Sequence, residues 1–427
     1  MTLVPLDLVI ANARLRAEPE RTSFIGIKGS RIATIQRDEL SAERIVDAEG
    51  DLVTESFVDA HLHLCKVHTL EMIGDHAISE YTSEGMEGAA RAIDIASQVK
   101  DRYEEGWIYE NARRAVCDGI RHGVTHLQAF ADTDTRARLE GVRALLRVRD
   151  EFSNVVGMKV VAFPQDGVVR DPGAADLVRR AVRMGADVVG GIPWIEESPE
   201  DAQAHIDAML DIAVEFDRPV AMLVDDAGDA TLRTTEQLVS SALRRGLIDR
   251  VTCCHARAMG AYPENYFRWL LRLLDHAHVT FVTDPHTGSL STRAMDLDRH
   301  GIPVALGQDD IADAYYPFGR HNMLEVAFLA AHVLGASTSP GMQKMFEMIT
   351  TRAADVLRIA AHRVEVGAEA NLVVLDGIDI RDALTKHGPP RYVISRGNLV
   401  ATNRSVSTLD LSGTGAEAAA HDANGSH

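Results

Sequence analysis

The sequence predicts an α/β protein: a (β/α)8 TIM barrel with a small β-sandwich formed by the N- and C-terminal segments. Three observations predict it. Apolar strand-like runs alternate with longer helical patterns through the middle of the chain, the mark of parallel βαβ units. Eight such runs can be counted, and polar side chains gather where many of them end. Both chain ends carry short β runs punctuated by Gly and Asp, neither with enough apolar surface for a core of its own. On this reading 57–362 form the barrel, 1–56 together with 363–411 form the sandwich, and 412–427 are a disordered tail.

The elements follow in order. The N-terminal β runs are LVIANARL, FIGIKGSRIATI and RIVDAEGDLV. The barrel strands are expected at 58–64, 124–130, 159–165, 187–193, 219–225, 251–255, 279–284 and 303–309. Helical spacing of apolar residues predicts helices at 175–184 and 201–216, with Gly185 as a C-cap of the first. The C-terminal β runs are VEVGAEANLVVLD and RYVISRGNLVAT, and the small polar residues after Leu411 lack the means to order themselves. His61, His63, Gln128, Gln165, Asp225, Asp226, His255, Asp284, His286, Asp309 and Asp310 fall at or near strand C-terminal ends. A closed barrel delivers every such end to one mouth, whereas an open sheet collects them at a switch point. That distribution favours the barrel.

Composition excludes several function classes. At 427 residues, with 46% apolar and 25% charged residues, the chain is an ordinary globular one. No run of eighteen apolar residues is present and the N-terminus lacks a basic, cleavable leader, so a cytoplasmic protein without membrane partners is expected. A net charge of −19 would repel a phosphate backbone, so the partner is a small-molecule substrate and not nucleic acid; a homo-oligomer is expected. Cys65, Cys117, Cys253 and Cys254 have no CxxC spacing and read as reduced thiols. No GxGxxG or Walker loop indicates a nucleotide cofactor, and the HxE…PCxxC pattern of small zinc deaminases is absent.

The chemistry begins at Asp59-Ala60-His61-Leu62-His63. Residues two apart on a strand share a face, so both imidazoles enter the barrel lumen, where one ion could bind them at about 2.1 Å. The pair lies on the first barrel strand, and the last strand ends in Gly307-Gln308-Asp309-Asp310. Together with SFVDAHLHL, VVAFPQDG, GADVVGGIP, VTCCHARAM, GQDDIADAYYPFG, NMLEV and GAEANLVVL, these features cover nearly the whole chain. So patterned, the chain resembles the amidohydrolase superfamily, most closely its cytosine-deaminase-like branch, which includes triazine N-dealkylating aminohydrolases.

The resemblance implies a hydrolase with one divalent transition metal, zinc or iron, that adds water to a C–N centre of a heterocycle. It implies that His61 and His63 are metal ligands. Asp309 is implied to bind the metal and take a proton from the attacking water, and His255 to polarise the substrate or hold the water. Gln165 is implied to hydrogen-bond a ring carbonyl and amide, and Tyr315 to close the pocket. Trp194 is expected as a pocket wall. The physical logic is that water is a poor nucleophile until a metal lowers its pKa, and a leaving amine needs a proton donor.

The sequence also departs from its relatives. The family's fifth strand presents a metal-binding histidine and, three residues on, a glutamate proton shuttle; here those places hold Leu223 and Asp226. Cys65 stands where relatives often carry aspartate, and His286 on the seventh strand is an addition. Three accounts stay open. His255, Asp225, Asp226, His286 or Cys65 replaces the missing ligand; or three ligands suffice; or the metal is lost and the chain binds a small molecule without hydrolysing it. Asp226 is the expected proton donor and His286 a substrate contact. Cys65, two residues past His63, is expected to point as the histidines do, while Cys253 and Cys254, strand neighbours, point to opposite faces. His68, His76, His122, His126 and His205 are expected in surface, loop or core, and Met342, Met345 and Met348, at helical spacing, in packing.

Overall fold

The computed structural model describes residues 5–73, 79, 93–288 and 290–409. The expected tail at 412–427 and His76 lie outside the described residues.

The N-terminal strands are β1 (Leu6–Leu15), β2 (Glu18–Lys28), β3 (Arg31–Gln36), β4 (Ala42–Asp47) and β5 (Leu52–Glu55). The barrel strands are β6 (Phe57–Leu62), β7 (Val124–Asp132), β8 (Gly157–Phe163), β9 (Val188–Gly191), β10 (Val220–Val224), β11 (Val251–His255), β12 (Thr280–Thr283) and β13 (Val304–Leu306). β14 (Leu372–Val374), β15 (Tyr392–Ser395) and β16 (Asn398–Thr402) follow. Residues of both chain ends share one sheet because β5 pairs antiparallel with β14, while β1 pairs antiparallel with β2 and parallel with β4 and β5. Its alternating Leu8, Ile10, Ile25, Ile27, Leu372, Val374 and Ile394 bury one shared apolar core.

β6 to β13 form the barrel, each strand parallel to the next. Their residues are buried on both faces, as a barrel jacketed by helices requires. One face fills the lumen with Val58, Ala60, Phe130, Val161, Phe163, Leu223, Cys254 and Val282. The other packs Leu127, Val160, Met222, Cys253 and Phe281 against the helices. The two neighbouring cysteines therefore do face opposite ways. The helix Ala174–Met184 ends at Gly185, whose φ of 119° is the left-handed cap conformation that glycine adopts without strain. The helix Pro199–Glu215 starts where the Ser198 side chain accepts the Asp201 N–H. Met345 and Met348 are buried and Met342 partly so.

The barrel seam positions the site. The Asp309 N–H donates to the His61 carbonyl at 2.8 Å, and the His63 N–H donates to the Asp309 carbonyl at 2.8 Å. Asp59 Oδ1 accepts from the Gln308 N–H at 3.0 Å. Gly307 permits this approach, since a Cβ there would stand 2.6 Å from the His61 Cβ. The hydrogen bonds that close first strand onto last also bring the first-strand histidines beside the eighth-strand carboxylate.

Candidate metal centre

His61 and His63 project from the end of β6, His255 ends β11, and Asp309 follows β13. Asp309 and His255 have φ of 66° and 65°, a left-handed conformation uncommon outside glycine, and so turn their side chains back over the lumen. Asp309 Oδ1 lies 3.4 Å from His61 Nε2, 3.7 Å from His63 Nε2 and 3.8 Å from His255 Nε2. One donor atom from each of the four residues lies within 4.8 Å of all the others, and all four residues are buried.

These residues fit a metal ion. His61 Nε2 and His63 Nε2 face each other at 3.3 Å, and the buried His255 Nε2 has no hydrogen-bond partner. Buried nitrogens left this way are costly unless a cation receives their lone pairs. Burial, with His255 beside His61 and Lys66 beside His63, holds both imidazoles well below the usual pKa, in the neutral form a metal needs. Burial also works against charge on His255, but Asp226, Asp284 and Asp309 outweigh it and carry the imidazole up to about 9. A metal must therefore displace a proton there. Burial, joined by Asp284 and Asp310, raises the carboxyl of Asp309 well above its usual range.

Behind the donors lies a clamp that sequence reasoning missed. Asp284 Oδ1 accepts from His255 Nδ1 at 2.8 Å, which aims Nε2 at the other donors. Burial opposes ionisation of Asp284, yet His255 and Arg257 hold its carboxyl well below the usual carboxylate range. Arg257 spans the mouth: its Nε is 3.1 Å from Asp226 Oδ1 and its Nη2 is 3.0 Å from Asp284 Oδ2. Nη2 also donates to Thr287 Oγ1 at 2.7 Å, and that hydroxyl lies 2.7 Å from Asp284 Oδ2 and 2.9 Å from Asp309 Oδ2. Gly288 leaves room for the guanidinium, since a Cβ there would fall 2.4 Å from Arg257 Nη1. Burial raises the carboxyl of Asp226, against the pull of His255 and Arg257.

A cavity adjoins the donors, lined by His63, His255 and Asp309 together with Lys66, Gln165, Trp194, Leu223, Asp226, Asp310 and Tyr315. Gln165, Trp194, Tyr315 and Asp226, each singled out from sequence, thus line one cavity. Gln165 Oε1 accepts from Lys66 Nζ at 2.9 Å, and its Nε2 donates to the Tyr315 hydroxyl at 3.1 Å. Lys66 Nζ lies 4.4 Å from the Tyr315 ring centre. A larger cleft, between Arg16, Met342 and Ile380, contains none of the donors.

Among the replacements considered for the histidine absent at Leu223, His255 alone joins the donor group among the described residues. Asp225 turns away through φ 47° and accepts from the N–H groups of Thr234 and Thr235 and from the Tyr262 hydroxyl. His286 does not line the cavity; its Nε2 meets the Gln308 carbonyl at 3.3 Å. The expectation for Cys65 needs correction. β6 ends at Leu62 and the chain turns, the Leu64 N–H bonding the Leu62 carbonyl, so strand alternation stops before Cys65. Its Sγ accepts from the Asp132 N–H at 3.3 Å and sits 3.9 Å from the Tyr103 hydroxyl, and burial raises the thiol pKa. That turn delivers Lys66 to the cavity instead, and only the lysine's place in HLHLCK could have signalled it. Of the histidines set aside, His205 and His126 are buried as core residues.

The sequence model of the amidohydrolase family matches residues 110–401. The structure of 5-methylcytosine deaminase from Klebsiella pneumoniae, liganded with 5-fluorocytosine, superposes with a TM-score of 0.87 at 28% identity, covering 95% of this chain and 99% of that one. N-isopropylammelide isopropyl amidohydrolase of Pseudomonas sp. (strain ADP) is 28% identical over 409 residues, 94% of this chain and 98% of that protein. Pterin deaminase of Rhizobium rhizogenes is 24% identical over 374 residues, covering 83% and 82%.

Proposed function

The chain belongs to the amidohydrolase family, and from that membership we propose a metal-dependent hydrolase that cleaves a C–N bond of a small nitrogen heterocycle or related amide. The observation that carries the reading is the convergence of His61, His63, His255 and Asp309, the last three of which line one cavity. These four would hold one divalent transition metal, zinc or iron. When bound, such an ion supplies the Lewis acidity that makes water a competent nucleophile near neutral pH.

The chain's own residues supply the rest. Asp309 presents Oδ1 to the imidazoles and Oδ2 to Thr287, and Oδ2 is the atom we assign to receive the proton of the attacking water. The Thr287 hydroxyl can serve both states of that carboxyl. It donates to Oδ2 when Asp309 is ionised, and accepts from it, donating to Asp284 instead, once Asp309 is protonated. Asp226, whose burial favours the protonated acid, lines the same cavity, placed to protonate the leaving nitrogen, with Arg257 fixing Oδ1. Lys66 and the Gln165 amide present donors suited to a ring carbonyl, while Trp194, Tyr315 and Leu223 enclose the ring. The relatives named above are named for 5-methylcytosine, N-isopropylammelide and pterin, which supports a heterocyclic substrate.

Elemental analysis of the purified protein tests the reading. About one transition metal per chain is expected, falling sharply in His61→Ala and Asp309→Ala. Cytosine, 5-methylcytosine, pterin and N-isopropylammelide are then assayed for ammonia or amine release. A metal-free wild-type protein, inactive on all four, would favour the non-catalytic binding homologue that the missing fifth-strand histidine suggests.

A further inference from the structure

Two buried side chains outside the metal centre form a connection between cavity walls. His205, on the helix Pro199–Glu215, and Glu196 are packed with no side-chain exposure. The Ile192 N–H donates to His205 Nε2 at 3.1 Å, so the ring proton sits on Nδ1, which donates to Glu196 Oε1 at 2.8 Å. The carboxylate is also saturated from the other side. Oε1 accepts the N–H groups of Val168 at 2.7 Å and Val169 at 3.1 Å, and Oε2 accepts that of Arg170 at 2.9 Å. Two glycines make the room. A Cβ at Gly167 would meet Glu196 Oε1 at 2.9 Å, and one at Gly191 would meet His205 Nε2 at 3.0 Å.

The two segments so joined are those that shape the cavity. Ile192 and Trp194 line it from the loop after β9, and Gln165 lines it from the loop after β8, two residues before Gly167. We propose that Glu196 and His205 are positioning residues that lock these two loops together and thereby set the shape of the substrate cavity. This rests on the reading of that cavity as the substrate site. The alternative is that the pair merely stabilises the fold, as buried hydrogen-bonded groups commonly do. The pair differs from such a pin in a testable way: it bonds the backbone beside the cavity residues on both loops, so loosening it moves Trp194 and Gln165 relative to each other.

Trp194 reports on this directly, because the chain has three tryptophans and the other two, Trp107 and Trp269, can be replaced by phenylalanine. In that background His205→Phe keeps the ring volume but loses both bonds. His205→Gln keeps one donor and one acceptor, and Glu196→Gln puts an amide donor among donors. Trp194 emission is expected to move to longer wavelength, with more quenching by acrylamide, in His205→Phe and Glu196→Gln, and to recover in His205→Gln. On any of the four rings that is turned over, kcat/KM is expected to fall on the order of 10²-fold, the scale of an ångström of misplacement, mostly in KM and with metal content unchanged. A lower melting temperature with Trp194 emission and quenching as in the parent overturns the proposal, as does a shift that His205→Gln fails to reverse. If His205→Phe does not fold, Glu196→Gln, of matching volume, carries the same readout. The emission arm needs no turnover, so its failure is separable from failure of the hydrolase reading, which turns on metal content and product release.

Discussion

Replacing Asp284 by asparagine removes one charge from the clamp behind His255 and leaves its shape in place. The Asp284 Oδ1 to His255 Nδ1 distance is 2.8 Å, and both side chains are only 3% exposed, so solvent does not screen the contact. A hydrogen bond to an ionised group contributes about 1.5–3 kcal/mol and a neutral one about 0.5–1.5 kcal/mol. An asparagine can still accept from Nδ1, so the difference, about 1–1.5 kcal/mol, is lost. Asp284 also anchors Arg257 and Thr287, which then lose their common partner, so an overall loss of about 10–100-fold is expected, the usual range for outer partners of a ligating histidine. The assay is competition between the protein and a fluorescent zinc chelator, with circular dichroism to establish that the variant is folded. A folded Asp284→Asn with wild-type zinc affinity would refute the placement of His255 among the ligands.

Other perturbations test other parts of the arrangement. Gly307→Ala places a Cβ against the His61 Cβ at 2.6 Å, so it is expected to spread the seam between β6 and β13 and lower both metal occupancy and melting temperature; an unchanged variant would mean the seam relaxes freely. Lys66→Met keeps the length of the side chain but removes the donor to Gln165, and KM is expected to rise with metal content intact, measured by steady-state kinetics beside elemental analysis. Burial pulls His126 down to about 3 from 6.5, with help from His362, so the folded state resists a proton that the unfolded chain takes. Its contribution is fully present above pH 6.5 and is lost progressively as pH falls toward 3, reaching about 2 kcal/mol at pH 5. Urea titrations at pH 7.5 and 5 should therefore show a smaller acid loss, by about that amount, in His126→Gln than in wild type.

Much of the fold was legible because its signals are local. Each of the eight barrel strands forms within a few residues of its expected position, since alternating and continuous apolar runs carry the strand period in the chain itself. The same period put His61 and His63 on one face, and it separated Cys253 from Cys254. It failed where strands end. Past Leu62 the chain turns, so Cys65 packs against Tyr103 and Asp132 and Lys66 enters the cavity. The clamp of Asp284, Arg257 and Thr287 had no motif, because Arg257 follows β11 while Asp284 and Thr287 follow β12, and the two strand ends meet only in the folded barrel.

By itself, then, the sequence determined the barrel, the first-strand histidine pair and the mouth at which Gln165, Asp226, His255 and Asp309 gather, because each follows from periodicity or from strand order. Tertiary structure alone decided which of those side chains face one another. Asp225 and His255 end their strands in left-handed backbone, yet Asp225 turns outward to hold the start of the helix Thr234–Arg244, while His255 turns inward to the donors. No residue pattern distinguishes those two outcomes. The difference lies in what each finds on closure: free N–H groups and the Tyr262 hydroxyl for Asp225, and the carboxylate of Asp284 for His255. The place left by Leu223 is an absence that sequence could report, and His255 beside it is a presence that only the closed barrel could supply.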